Sequence, residues 1–319
     1  MSAVVCDMTG NGSISGNKRT EEFLGLVFAS NPRQKESILY TMDKYYTEDD
    51  YSKLEDILIF YARSMSITEI ADAYRLLVED TIKETMYFLE HGRYRYSSFE
   101  ETERLVYSRK EYMSKYMVGL SVSGYLWSNH IRMFHWFRDI MKGVEGKRYL
   151  EIGPGHGRYF CESVMINGFS EYDAIDVSET SVDQTNAYLK EHLDKEQMGK
   201  CRVFQKNAYD HKPEEKYDFV VIAEVLEHLE DPFGMLSHVN SISTAQAYLY
   251  VTVPVNAPEI DHIYLFNSIE EVEELVKAAG YEIKDRLYAA AGDMKLEKAV
   301  KKKNSIIVGL LAGKVRGKG

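Results

Sequence analysis

The chain has 319 residues, 45% hydrophobic and 28% charged, enough to bury one large core or two smaller ones. Its formal net charge of -11, from 50 acids against 39 bases, argues against the basic face of a nucleic-acid enzyme. Cys6, Cys161 and Cys201 form no C-x-x-C pair, so neither a disulfide framework nor a zinc site is indicated.

Residues 1–18 are small, polar and glycine-bearing, which reads as a flexible tail without the profile of a signal peptide. No apolar run approaches the roughly 20 residues needed to cross a bilayer. A cytoplasmic protein with no membrane partner is the expectation.

From 19 to 145 glycine is scarce, Pro32 is the only proline, and apolar residues recur at helical spacing, which predicts a helical domain. Leu54, Ile57, Leu58 and Tyr61 form one stripe, and Ile82, Met86 and Leu89 another. Ser66-x-x-Glu69 reads as a capping box opening a helix, with a second helix over 81–90 and a turn into short strands at 91–96. The stretch 115–141 is rich in aromatics (Tyr116, Tyr125, Trp127, Phe134, Trp136, Phe137) and carries His130 and His135. Most of these rings suit a core, and the segment as a whole suits the roof of a pocket.

Past Gly146, β-rich runs alternate with helical patterns, implying right-handed crossovers and a parallel sheet. Strands are predicted at 148–152, 172–177, 202–206, 218–223 and 247–253, with helices at 158–167, 179–192, 232–242 and 269–279. Strands at 282–288 and 305–312 would close the sheet as an antiparallel pair. Lys301, Lys302 and Lys303, with Lys314, Arg316 and Lys318, read as a solvated turn and tail.

The most informative stretch is Glu151-Ile152-Gly153-Pro154-Gly155-His156-Gly157, followed by Asp176. A strand, a glycine loop and a helix N-terminus make a place where a nucleotide-like ligand approaches bare backbone. A dinucleotide site spaces its glycines G-x-G-x-x-G and rests a pyrophosphate on the helix. Here the spacing is G-x-G-x-G, and a carboxylate stands two residues before the first glycine. That acid would repel a pyrophosphate and attract an ammonium and a sulfonium, which favours S-adenosylmethionine.

Together with 172–178 and the run 217–229 (Tyr-Asp-Phe-Val-Val-Ile-Ala-Glu-Val-Leu-Glu-His-Leu), these residues resemble the class I S-adenosylmethionine-dependent methyltransferases over roughly 146–314. The last run is closest to the branch of ubiquinone-biosynthesis and natural-product enzymes. The resemblance implies an α/β fold: a Rossmann-like seven-stranded sheet, mostly parallel with an antiparallel last strand, on 146–319, after a helical lid on 19–145. The order of helices in that lid is similar to the winged-helix dimerisation domain of many small-molecule O-methyltransferases, which would make a homodimer. A plain helical cap is the alternative.

The resemblance also assigns roles. Glu151 would take the methionine ammonium, and Gly153, Gly155 and Gly157 would admit the cofactor. Asp176 would accept the ribose hydroxyls, with Val177, Ser178 and Tyr209 beside the adenosine. Asn207 and Ala208 would read the adenine, and Ala223 and Glu224 would flank the methionine part.

If the acceptor is a hydroxyl or a protonated amine, a base must remove a proton. His262, beside Asp261, is the first candidate; His228 is the second, with helix capping as its bland reading; His130 is the third. His156 would contact cofactor. Metal-dependent catechol-type relatives carry an Asp/Asn cluster after the fourth and fifth strands, and residues 253–259 lack one, so no metal is expected. The expected activity is methyl transfer to an O, N or C atom of a small molecule in specialised metabolism, yielding S-adenosylhomocysteine. The alternatives are a cofactor-binding regulatory protein without turnover, or a protein or RNA methyltransferase.

Overall fold

A computed structural model describes residues 17–315. All but the last two residues of the expected tail, and Arg316 and Lys318, lie outside them; Lys18 already belongs to the first helix.

Seven helices come first: α1 (Lys18–Ser30), α2 (Pro32–Tyr45), α3 (Glu48–Tyr61), α4 (Ile67–His91), α5 (Phe99–Thr102), α6 (Lys110–Leu126) and α7 (Ser128–Lys142). A five-residue π-helix, Glu103–Tyr107, follows α5 directly. The strands are β1 (Gly146–Ile152), β2 (Phe169–Asp176), β3 (Cys201–Gln205), β4 (Tyr217–Ala223), β5 (Ser243–Val255), β6 (Tyr281–Ala290) and β7 (Ile306–Lys314). Between them run α8 (Arg158–Ile166), α9 (Glu179–His192), α10 (Lys195–Gly199), α11 (Pro232–Ser241), α12 (Ile269–Ala278) and α13 (Leu296–Lys302). The sheet order is β3-β2-β1-β4-β5-β7-β6, with β7 antiparallel to both β5 and β6 and the other pairs parallel. This is the Rossmann-like methyltransferase sheet, with the chain direction across it reversing between β1 and β4. A crevice therefore opens at the carboxyl ends of those two strands.

The helical region does not stand apart. Phe23, Leu54, Ile57, Leu58 and Tyr74 form one continuous core with Tyr149, Phe160, Tyr172, Phe219 and Tyr250 from the sheet side. Tyr149 alone meets the rings of Phe160, Phe169, Tyr172 and Phe219 at 5.5–6.1 Å between centroids. The opposite face is covered by α11 and α12 through Leu236, Val239, Val272 and Val276.

Three expectations for the helical region are corrected. The two helices expected over 66–90 are one 25-residue helix, α4, because no residue between Tyr74 and Thr81 interrupts helical hydrogen bonding. Its stripe Ile82, Met86 and Leu89 is exposed. There the buried face instead carries Asp80, which accepts from Tyr112 at 2.6 Å, and Glu84, which pairs with Arg95 at 3.0 Å. Strands after Gly92 are absent from the described residues, so there is no wing. Gly92 ends α4 at φ 68°, and Tyr94 turns inward to accept a hydrogen bond from the Ala257 N–H at 3.1 Å.

The capping box at the start of α4 is present. Ser66 Oγ accepts from the Glu69 N–H at 3.2 Å, and the Glu69 carboxylate accepts from the Ser66 N–H at 2.7 Å. Ser66→Ala should lower stability by about 1 kcal/mol, read by chemical denaturation with an unchanged slope.

Candidate active site at the strand carboxyl ends

The glycine loop leaves β1 with three left-handed residues, Gly153 (φ 70°), Gly155 (φ 57°) and Gly157 (φ 84°). A Cβ on Gly153 would stand 2.5 Å from Val225 Cγ2, so only glycine fits. Gly155 faces space whose nearest atom is Met117 Cε of α6, 3.7 Å from where a Cβ would be. The helical region thus reaches the loop that would receive the cofactor. Thr185 of α9 ties the loop from the other side by donating to the Gly155 carbonyl at 3.0 Å.

Glu151 is buried and accepts a 2.7 Å hydrogen bond from the Tyr149 hydroxyl; burial pushes its carboxyl up to about 8. Asp176 ends β2 and accepts from the Ser178 N–H at 2.9 Å. Burial raises its pKa against the opposing pull of the surrounding N–H groups and of nearby His228. Ser178 spends its hydroxyl capping α9, and the Val177 side chain is exposed. Asn207 caps a short 3-10 turn by accepting from the Tyr209 N–H at 3.0 Å, which leaves its amide NH2 free to donate; Ala208 beside it is buried.

Beyond Ala223 at the end of β4, Glu224 adopts φ 54°, an unusual conformation for a side chain of its size. Its N–H donates to the carbonyl and hydroxyl of Thr252, both at 3.1 Å. Its Oε1 is buried without a partner, and burial raises its pKa. Buried Glu151, half-buried Glu224 with its Oε1 shielded, three bare glycines and an acid at the end of β2 suit a ligand that is cationic at one end and carries a diol. The crevice therefore fits S-adenosylmethionine.

The three histidines separate. His228 and His262 meet edge to face, 4.9 Å between ring centroids. The His228 Nδ1–H donates to the Asp261 carbonyl at 3.0 Å, and the His262 Nδ1–H donates to the Ala257 carbonyl at 2.7 Å. Each ring therefore presents its Nε2 lone pair to the same group, Glu227 Oε1, at 3.8 and 3.9 Å. Glu227 is fully buried and neither of its carboxylate oxygens has a hydrogen-bond partner. Burial, with Glu224 next to it, raises its pKa well above the ordinary carboxylate range.

Two expectations change here. Asp261, the sequence neighbour that made His262 the first candidate, does not orient it: its carboxylate turns toward His228, 3.7 Å from its Nδ1. His228 is no helix cap either, because Asp231 caps α11 by accepting from the Gly234 N–H at 2.8 Å. Burial first, then neighbouring His228, lowers the His262 imidazolium to about 3. His130 is also held neutral, at about 4, by burial and by Arg158. It lies against Trp127 by the glycine loop and does not join the Glu227 group.

Tyr116 belongs to the aromatic stretch expected to roof a pocket, whereas Tyr107, Thr81 and Arg158 carried no sequence signal. Tyr107, on the π-helix, donates to Asp261 at 3.2 Å, and Tyr116 of α6 donates to the other oxygen at 3.4 Å. Thr81 of α4 donates to buried Glu259 at 2.9 Å. Arg158, at the start of α8, is clamped between the Tyr125 and Phe134 rings, 3.6 Å from each, and donates to the Gly124 carbonyl at 2.9 Å. Nothing in local spacing announces such contacts.

Among solved structures, the chain is similar to the N-methyltransferase NodS from Bradyrhizobium japonicum in complex with S-adenosylhomocysteine: 14% identity, 58% of this chain, 87% of that one, TM-score 0.45. It is also similar to the [4+2]-cyclase SpnF (16% identity, 57% and 81%, TM-score 0.46) and to the StiE O-methyltransferase segment (14%, 70% and 83%, 0.45). No curated protein matches the chain. The family model described as a methyltransferase domain matches residues 129–285, which span the glycine loop, Asp176, Glu224 and His262. Residues 129–285 of the chain therefore make up a methyltransferase domain.

Proposed function

We propose that the enzyme methylates a small molecule of specialised metabolism, held between the strand ends and the helical roof. The observation that carries this reading is the roof itself. Tyr107 and Tyr116 come from the helical region yet reach Asp261 at hydrogen-bond distance, and Met117 of α6 faces the space above Gly155, 3.7 Å from where a Cβ would stand. A site covered in this way favours a small acceptor over a duplex or a folded protein.

When bound, the cofactor supplies an electrophilic methyl on a sulfonium, displaced in line, so alignment and exclusion of water do most of the work. Glu151 would pair with the ammonium, Asp176 with the ribose diol, and the Asn207 amide with the adenine ring. Glycines 153, 155 and 157 let backbone approach without a Cβ. On the acceptor side, the free lone pairs are the two imidazole Nε2 atoms at Glu227.

Glu151 gives this reading a pH signature. Its carboxyl, near 8 in the free protein, must lose its proton to pair with a cation. Cofactor affinity should therefore climb as pH rises through neutrality toward about 8 and level off above it. Titration calorimetry at a series of pH values checks the slope, and Glu151→Gln should flatten it.

The function is tested by incubating the enzyme with methyl-labelled cofactor and a panel of small hydroxyl and amine compounds, beside bulk RNA and protein. Label in the small-molecule fraction is expected. Label confined to RNA or protein would overturn the substrate class, and cofactor binding without transfer to any acceptor would favour a regulatory role.

A further inference from the structure

We propose that Glu227, His228 and His262 bind a divalent first-row transition-metal cation, which in turn receives an oxygen of the acceptor. The second half of this statement rests on the methyl-transfer reading above; the first half does not. It revises the expectation, drawn from residues 253–259, that no metal is held.

The geometry points to a cation in four ways. The donor atoms of the three residues lie within 4.8 Å of one another. Both imidazoles have their tautomer fixed by backbone carbonyls, Asp261 for His228 and Ala257 for His262, so both Nε2 atoms are unprotonated lone pairs aimed at one carboxylate. Carbonyls on the far ring nitrogen are how proteins orient metal-binding histidines. Glu227, fully buried with both oxygens unpartnered, is costly as it stands. A proton does not resolve this, because 3.8 and 3.9 Å are too long for hydrogen bonds to the rings. An ion about 2.0–2.2 Å from each donor would sit between them.

The frame is also built. The Glu227 carbonyl accepts the N–H groups of Ile263 and Tyr264, both at 2.9 Å, which pins the His262 loop against the turn after β4. Tyr107 and Tyr116 hold Asp261, whose carbonyl orients His228. Glu224, with its own unpartnered Oε1, stands next to Glu227 and adds negative potential.

Two imidazoles and one carboxylate select manganese, iron, cobalt or zinc over magnesium or calcium, which prefer all-oxygen sites. Three protein donors leave coordination positions open. His228 is the most exposed of the three, so the open positions lie on its side of the cluster. An acceptor hydroxyl placed there would release its proton to solvent water. Its oxygen would then form a bond to the methyl carbon as the carbon–sulfur bond breaks and its electron pair stays on sulfur.

Cobalt(II) alone is the probe, titrated into the full chain without cofactor and followed by visible absorption and calorimetry. A single equivalent should bind. Glu227→Gln and His262→Gln should each weaken it by about tenfold or more, with S-adenosylmethionine affinity, titrated separately, unchanged. Failure of the wild-type protein to bind a stoichiometric cobalt overturns the site, and so does equal binding by His262→Gln, even if Glu227→Gln does not fold. Cobalt binding without cofactor binding would uphold the site while sinking the methyl-transfer reading. Chelator-stripped enzyme should lose transfer to hydroxyl acceptors and regain it with manganese or cobalt; undiminished transfer would overturn the acceptor half.

Discussion

His262→Ala should lower turnover on a hydroxyl acceptor by about 10²–10⁴, the usual range for losing assistance to deprotonation of the acceptor, which His262 would give by holding the cation. The reason is positional. His262 is buried, its Nδ1–H is committed to the Ala257 carbonyl, and its Nε2 faces Glu227 beside His228. Cofactor affinity should barely change, because Glu151, Asp176 and the glycine loop are untouched. That unchanged affinity also reports a folded variant. His228→Ala, measured in parallel, should show a loss of similar size, since both rings meet the same carboxylate. A neutral amine or activated-carbon acceptor would shrink both losses, because alignment then carries the reaction. Wild-type turnover in both variants on a hydroxyl acceptor would remove the pair from the chemistry.

Cofactor binding should respond to the other half of the site. Asp176→Ala should weaken S-adenosylmethionine binding by about 1.5–3 kcal/mol, the range for hydrogen bonds to a charged group. Gly153→Val should abolish it. Gly153 sits at φ 70°, and any Cβ would stand 2.5 Å from Val225, so the loop must move. Calorimetric titration of both variants decides the matter; wild-type affinity in both would remove the glycine loop and the β2 acid from the site.

The sheet was legible because buried parallel strands read as near-continuous apolar runs between helical patterns. The helix expected at 179–192 is α9, Glu179–His192, and the structure shows Ser178 capping it. The helical region was less so. In α4, apolar spacing alone placed Ile82, Met86 and Leu89 inside, whereas the fold buries Asp80 and Glu84 with tyrosine and arginine partners. Periodicity has no means of registering a buried polar pair.

The same division runs through the site. Its proposed cofactor half is local, a loop and two strand ends, which is the kind of arrangement short motifs can name. Its acceptor half is assembled from distant positions: Tyr107 meets Asp261 across 154 residues, and Thr81 meets Glu259 across 178. Adjacency also misled, since Asp261 and His262 are neighbours in sequence while the carboxylate faces His228. Glu227 was in plain view within the motif, but its burial between two imidazoles is a tertiary fact.

The most direct test of the central claim is a crystal structure of the enzyme grown with S-adenosylhomocysteine. The ligand should lie at the carboxyl ends of β1, β2 and β4, its ribose hydroxyls on the Asp176 carboxylate and its amino group beside Glu151. A ligand bound elsewhere, or a crevice that stays free of it at saturating concentration, would contradict the account.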